Sequence, residues 1–255
     1  MATNRASAPA FLLHSTPYRE TSLVVDLFTR DYGRIAAVAK GAKRPRSALR
    51  AVLLQFQPLQ ATWSGRNELR TLIGAEWTGG LPAPQGDALL CAFYLNELLI
   101  RLLPREDAHP LLYDAYEQAL RELAAGAAFD ETLRRFEWQL LREAGYAPDL
   151  EHDAENRPID EHGAYRCRPG SGFVAAEPAE IGAGQPGAGH PGAGQPGAGQ
   201  PGMVSGTTLR ELAEGRFASV AGRQQAKYLM RAILAHHLDG APLNTRQILI
   251  DLQKL

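Results

Sequence analysis

The densest chemistry in the chain lies between residues 40 and 50. Lys40, Lys43, Arg44, Arg46 and Arg50 put five positive charges into eleven residues with no acid among them. Arg34 precedes the run, and Gly41 and Pro45 interrupt it, so it reads as an exposed loop. Clustered Lys and Arg side chains neutralise phosphates and release condensed counterions, which is the physical use of such a run. Arg19 and Arg70 are candidates to extend the same surface. The plainer reading is a solvated basic loop without a ligand. A nuclear-localisation run is a further reading, but nothing else in the chain supports it.

Single-strand binders add aromatic platforms on which bases stack. Tyr18, Tyr32, Phe56 and Trp63 are the candidates, yet no spacing singles out a groove, and each reads first as a core or surface residue. A second basic element is Arg134 and Arg135, within Leu133-Arg134-Arg135-Phe136-Glu137. Paired arginines beside an apolar helical stripe suit an acidic peptide carrying a hydrophobic anchor. Intrahelical pairing with Glu131 or Glu137 accounts for them equally well. Arg223, Lys227 and Arg231 recur at four-residue spacing and read as a solvated helix edge.

Catalytic and metal chemistry find little support. No Gly-rich loop ends in Lys-Ser or Lys-Thr, so the phosphate cradle of an ATPase is missing. Ser, His and Asp residues are scattered without a nucleophile-elbow context. His152, His162 and Cys167 share one loop region but match no zinc spacing, and His236 and His237 are adjacent on a helix. The expectation is no catalytic residue, no metal site and no cofactor.

Charge and composition frame these residues. The chain has 255 residues and a net charge of −1. Residues 1–80 carry eleven Lys/Arg against five Asp/Glu, and residues 81–255 carry sixteen against twenty-three. A basic first part facing a polyanion, with an acidic remainder, is the reading of that asymmetry. Two cysteines, Cys91 in an apolar run that reads as core and Cys167, build no disulfide framework. Phe11-Leu12-Leu13 is too short for a signal peptide, and no stretch reaches transmembrane length. A reducing cytoplasm is the default expectation.

The elements that must position the basic loop alternate with period two. Segments near 10–17, 22–29, 34–40, 56–63 and 68–77 read as strands, with Leu23, Val25 and Leu27 on one face and Leu59, Ala61 and Trp63 on another. Arg30-Asp31-Tyr32-Gly33 and Ser64-Gly65-Arg66-Asn67 supply turns. Five short strands suit a small closed barrel, and spacing alone fits an OB-fold or an SH3-like barrel. The period then changes. Residues 87–103 read as a central buried helix, capped by Asp87 and ended by Pro104. Further helices are predicted from Pro110 to Gly126 and from Asp130 to Gly145, the latter with Leu133, Phe136, Leu140, Leu141 and Ala144 on one stripe.

Residues 148–180 read as loop with a hairpin around Tyr165–Val174. Four five-residue copies of Gly-Ala-Gly-Gln/His-Pro follow within 182–202, a composition that cannot offset its ordering entropy and so reads as a flexible insert. Helical pattern returns at Thr208 with Glu211 as a capping-box pair, at 222–239, and at 245–253. The expected organisation is a nucleic-acid-binding domain over 1–80 and a helical domain over 81–255. In the second, helices at about 87–147 and 207–254 flank the insert 148–205.

Several short motifs, in order, resemble the RecO DNA-repair proteins. They are Phe11-Leu12-Leu13-His14-Ser15, Tyr18-Arg19-Glu20-Thr21-Ser22-Leu23, Gly33-Arg34 and Val38-Ala39-Lys40-Gly41-Ala42 with the basic loop. The likeness continues in Tyr94-Leu95-Asn96-Glu97-Leu98, Leu133 to Glu137, Gly145-Tyr146, Tyr165-Arg166, Gly172-Phe173 and Leu243-Asn244-Thr245-Arg246. The resemblance implies an α+β chain: an N-terminal five-stranded OB-fold barrel, then a helical body with an inserted ribbon. It implies a recombination mediator in the cytoplasm, associated with the nucleoid. Such a protein binds single- and double-stranded DNA, anneals complementary strands and, with RecR, loads RecA onto strands coated by single-stranded DNA-binding protein (SSB), without hydrolysing nucleotides. DNA contacts carried over by the resemblance fall on Arg34, Lys40, Lys43, Arg44 and Arg46, and contacts to the acidic, Phe-ended SSB tail on Arg134 and Arg135. Zinc-binding members hold the ion with four ribbon cysteines, whereas only Cys167 stands there here. The Gly-Ala-Gln-Pro insert is also outside the family pattern. From the residues alone, an RNA-binding or ribosome-associated OB protein is the alternative, and a nuclease lacks the carboxylate cluster it would need.

Overall fold

Alternation in the first 77 residues resolves into five strands, β1 (Arg5–Tyr18), β2 (Ser22–Thr29), β3 (Gly33–Ala39), β4 (Pro58–Ser64) and β5 (Leu69–Trp77). This computed structural model describes residues 5–176, 203–245 and 247. The repeat tract at 182–202 and most of the helix expected at 245–253 lie outside the described residues. The strands close in the order β1-β2-β3-β5-β4, with β4 returning to β1. All neighbours are antiparallel except β3 and β5. That order makes an OB-like barrel and resolves what spacing left open.

The inward positions are those the alternation marked. Leu27, Leu59, Ala61 and Trp63 join Val25, Ile35, Ala37 and Leu72 in the barrel core, and Leu23 packs against it. A register shift between Leu12 and His14 lets two consecutive residues, Leu12 and Leu13, both be buried. A short helix, α1 (Ala48–Val52), joins β3 to β4 and turns Leu49 and Val52 toward the core.

α2 (Asp87–Leu102) and α3 (Pro110–Ala124) follow the barrel. Phe11 and Phe28, on the outer faces of β1 and β2, meet Tyr113 and Tyr116 with ring centroids 5.0–6.1 Å apart. Buried Asn96 on α2 donates to the Leu13 carbonyl at 2.9 Å and accepts from the Tyr116 hydroxyl at 2.5 Å. One amide thus ties strand and two helices together. Two expectations need correction. Gly86, not Asp87, holds the N-cap position, and α2 buries one face rather than its whole circumference. Cys91 accordingly is only half-buried.

The chain divides into two compact units, residues 1–132 with 242–255, and residues 133–241. Compactness therefore groups α2 and α3 with the barrel, whereas the composition break lies near residue 80. The second unit takes most of α4 (Phe129–Glu143) and a three-stranded sheet of β6 (Ala164–Arg168), β7 (Gly172–Ala175) and β8 (Met203–Ser205), ordered β7-β6-β8. It ends with α5 (Gly206–Glu214) and α6 (Val220–His237). The expected hairpin is present, and β8 adds a strand that the sequence reading missed. The capping assignment shifts as well. Ser205 caps α5 by accepting from Thr208 N–H, while Glu211 accepts from Ala218 N–H at the start of the next segment. Phe136, Leu140, Phe173, Leu209, Leu229 and Met230 are all buried in this unit. Among the described residues no helix is long and apolar enough to cross a membrane.

Candidate nucleic-acid interface

β3 ends at Ala39, and the chain leaves the barrel through a succession of tight turns. Gly41 adopts φ +69°, a left-handed conformation that suits glycine. Ala42 then points back into the barrel core, 1% exposed. Its neighbours are held by one backbone bond to the β1–β2 hairpin and by turns within the loop. Lys43 N–H donates to the Thr21 carbonyl at 2.9 Å, Arg44 N–H to Gly41 at 3.0 Å, and Ser47 N–H to Arg44 at 3.1 Å. Gly41 N–H reaches Ser22 Oγ at 3.4 Å. The basic loop is thereby fastened to the β1–β2 hairpin, whose Leu23 also pairs with Ala39 at the end of β3.

This anchoring leaves the cations outward. Lys40, Lys43, Arg44, Arg46 and Arg50 are exposed. None of the five is ion-paired to an acid among the described residues. The hairpin adds Arg19, exposed at φ +52°, whose guanidinium lies 5.1 Å from the centroid of the Tyr18 ring. Uncompensated positive charge on a loop with a fixed backbone can meet a phosphate chain without first breaking an ion pair.

Arg34 is placed differently. The pleat turns Ile35 and Ala37 inward and Arg34 outward, but the segment between α2 and α3 covers it. Glu106 N–H donates to the Arg34 carbonyl at 3.0 Å, and only 11% of the Arg34 side chain remains exposed. Asp26 lies 3.6 Å from its guanidinium and 2.9 Å from that of Arg105. Burial pushes the Asp26 carboxyl up despite both arginines, and burial pushes Arg34 down despite Asp26. Desolvation outweighs attraction at this pair. Arg70 is likewise drawn in, with 12% of its side chain exposed and Glu106 at 3.1 Å. Neither arginine joins the loop cations at the surface. Arg105, 42% exposed, is a basic residue near this face that sequence reading missed, because nothing local links it to Asp26.

The four aromatic candidates separate cleanly. Trp63 is barrel core, and Phe56 is buried with its ring edge-on to Phe93. Tyr32 is exposed but sits in the β2–β3 turn, edge-on to Trp63. Tyr18 alone belongs to the hairpin that holds the basic loop.

In the second unit the arginine pair is split, since neighbouring helical residues point about 100° apart. Arg134 is buried against Glu137, with side chains 7% and 0% exposed. Arg135 is exposed, and its aliphatic stem lies against Gly215 at the end of α5. Their flanking stripe is buried at Phe136, Leu140 and Leu141. His152, Cys167 and His237 line one recess of about 320 Å³, where burial pushes the Cys167 thiol up to about 11. Such a thiol stays protonated and is a poor ligand or nucleophile near neutral pH. Among the described residues no three His, Cys, Asp or Glu side chains gather as a metal site.

Comparison with known proteins agrees with this architecture. Residues 1–81 match the family described as recombination protein O N terminal, and residues 83–247 that described as recombination protein O C terminal. The chain is 48% identical over 247 residues to DNA repair protein RecO of Ralstonia nicotianae, covering 97% of this chain and 85% of the relative. It is 49% identical over 250 residues to DNA repair protein RecO of Burkholderia pseudomallei, covering 98% and 85%. Against DNA repair protein RecO of Aromatoleum aromaticum the identity is 47% over 251 residues, covering 97% and 96%. With both halves matched in order on a barrel followed by helices, the chain belongs to the recombination protein O family.

Proposed function

We propose that the chain is a DNA-repair and recombination mediator in the cytoplasm, associated with the nucleoid. It binds single- and double-stranded DNA, anneals complementary strands and, with RecR, helps load RecA onto SSB-coated strands. It performs no bond-making chemistry of its own. One observation carries the reading: Lys40, Lys43, Arg44 and Arg46 are outward and unpaired with described acids, on a loop tied to the β1–β2 hairpin through Lys43 N–H. Such a strip binds phosphates whatever the sequence, and it screens the repulsion between two strands brought together for annealing. Arg34, paired with Asp26 at the far end of β3, lies outside this strip and is not among its phosphate contacts. The SSB tail docks on α4, where Arg135 meets its acidic residues and Arg134 holds the helix face through Glu137.

Changing Lys43, Arg44 and Arg46 together to Glu tests the first part. Annealing should be lost, and the log–log salt slope of single-strand binding should fall by about two, for about three phosphate contacts. An unchanged slope removes the loop from the DNA site.

A further inference from the structure

The basic loop explains attraction to any nucleic acid, but phosphates are common to single and double strands. We infer that Tyr18, covered by the guanidinium of Arg19, is the step on which an unpaired base stacks, and that this pair gives the loop its preference for single strands. The inference rests on the loop being the DNA site.

Three observations place it. First, Tyr18 and Arg19 close the β1–β2 hairpin, and the Thr21 carbonyl of that hairpin accepts from Lys43 N–H at 2.9 Å. A base held here has its own phosphates beside Lys43 and Arg44. Second, Arg19 holds a left-handed φ of +52°, which a non-glycine residue adopts at a cost. That conformation accompanies a guanidinium 5.1 Å from the Tyr18 ring centroid. Bases stack on guanidinium planes and on aromatic rings alike, so a base can join the stack that Tyr18 and Arg19 begin. Third, the other candidate rings are elsewhere. Tyr32 closes the opposite end of β2, roughly 23 Å away along an eight-residue strand. Phe56 and Trp63 are buried.

A duplex keeps its bases stacked on one another and cannot use this surface without unpairing. The full-length chain should therefore be titrated with a single-stranded oligonucleotide containing 2-aminopurine, and with the same oligonucleotide as a duplex, across a salt series. Tyr18→Ala should weaken the single strand about 5- to 150-fold, the range for loss of one stacked base. Duplex affinity and both salt slopes should stay unchanged. Tyr18→Phe should retain wild-type single-strand affinity and 2-aminopurine quenching, and Tyr32→Ala should behave as wild type. Arg19→Ala should lose part of the single-strand preference and about one phosphate contact at most. If Tyr18→Ala leaves single-strand affinity intact, or weakens both forms equally, the inference falls. The Lys43, Arg44 and Arg46 to Glu variant keeps the two ideas apart: wild-type salt slopes there overturn the loop site, whatever Tyr18→Ala does. Matching circular dichroism and melting of each variant assign the changes to binding.

Discussion

The carboxylate of Glu97 receives the backbone N–H of Thr245 at 2.9 Å and its hydroxyl at 2.8 Å, across 148 residues of chain. Asn244 N–H donates to the other oxygen at 2.8 Å, and Arg101 lies 3.0 Å away. Two of the motifs that carry the family resemblance, Tyr94 to Leu98 and Leu243 to Arg246, thus meet through one side chain. A carboxylate at the first exposed N–H groups of a helical turn is satisfied by charge and by hydrogen bonding together. Burial pushes the Glu97 carboxyl up, but the bonds from Thr245 and Asn244 and the charge of Arg101 outweigh it and hold the group below its usual range.

The sign of the pH dependence follows. A group depressed in the folded chain stabilises it above the unfolded value, about 4.3 for Glu. That stability is lost as pH falls through the lower folded value. Glu97→Gln should therefore cost about 1.5–3 kcal/mol near neutral pH, the range for hydrogen bonds to a charged group. Melting curves of the two proteins should converge on acidification below about pH 4. A gap that stays constant from neutral to acid would mean that the charge is irrelevant.

Gly33 carries a backbone requirement of a different kind. Its φ is +64°, and a Cβ placed on it would stand 1.8 Å from the carbonyl oxygen of Asp107. The turn needs the left-handed conformation, and the covering segment needs the empty space. Gly33→Ala should cost about 1–2 kcal/mol from backbone strain, and the clash adds to it. Relief of the clash would move the segment that supplies Arg105 to Asp26 and Glu106 to Arg70. Thermal melting measures the first effect. Faster amide exchange at Glu106, whose N–H bonds Arg34, measures the second.

The barrel was legible because its signal is local. Inward residues such as Val25, Leu27, Leu59 and Ala61 recur with period two, and Gly33 and Gly65 mark turns. Elements too short to show a period were not legible: α1 has five residues and β8 three. Charge could be read at Arg34 and Arg70, but their burial could not. It depends on Asp26, Glu106 and the covering segment, which are close only after folding. The loop cations escaped that ambiguity because α1, which follows at once and contains Arg50, turns Leu49 and Val52 inward and leaves the charged side chains exposed. Ser205 displaced Thr208 as the cap of α5 for a similar reason, since β8 delivers Ser205 to that position.

Arg134 and Arg135 make the final test, since the fold assigns adjacent like residues opposite tasks. Arg134 neutralises Glu137, whose side chain is fully buried, so Arg134→Ala leaves a charge inside the second unit. Breaking such a pair from one side costs about 3–5 kcal/mol. Arg135 is exposed, and Arg135→Ala should cost about 1 kcal/mol at most, the range for an exposed charged side chain. Binding should divide the other way. A fluorescent acidic peptide ending in Phe should bind Arg135→Ala about tenfold more weakly, as expected for one charge-assisted hydrogen bond. Affinity for naked single-stranded DNA should not change, because the loop cations lie in the other compact unit. Equal losses of peptide and DNA binding would reject that division of labour. An Arg134→Ala protein as stable as Arg135→Ala would show that Glu137 finds compensation without its neighbour.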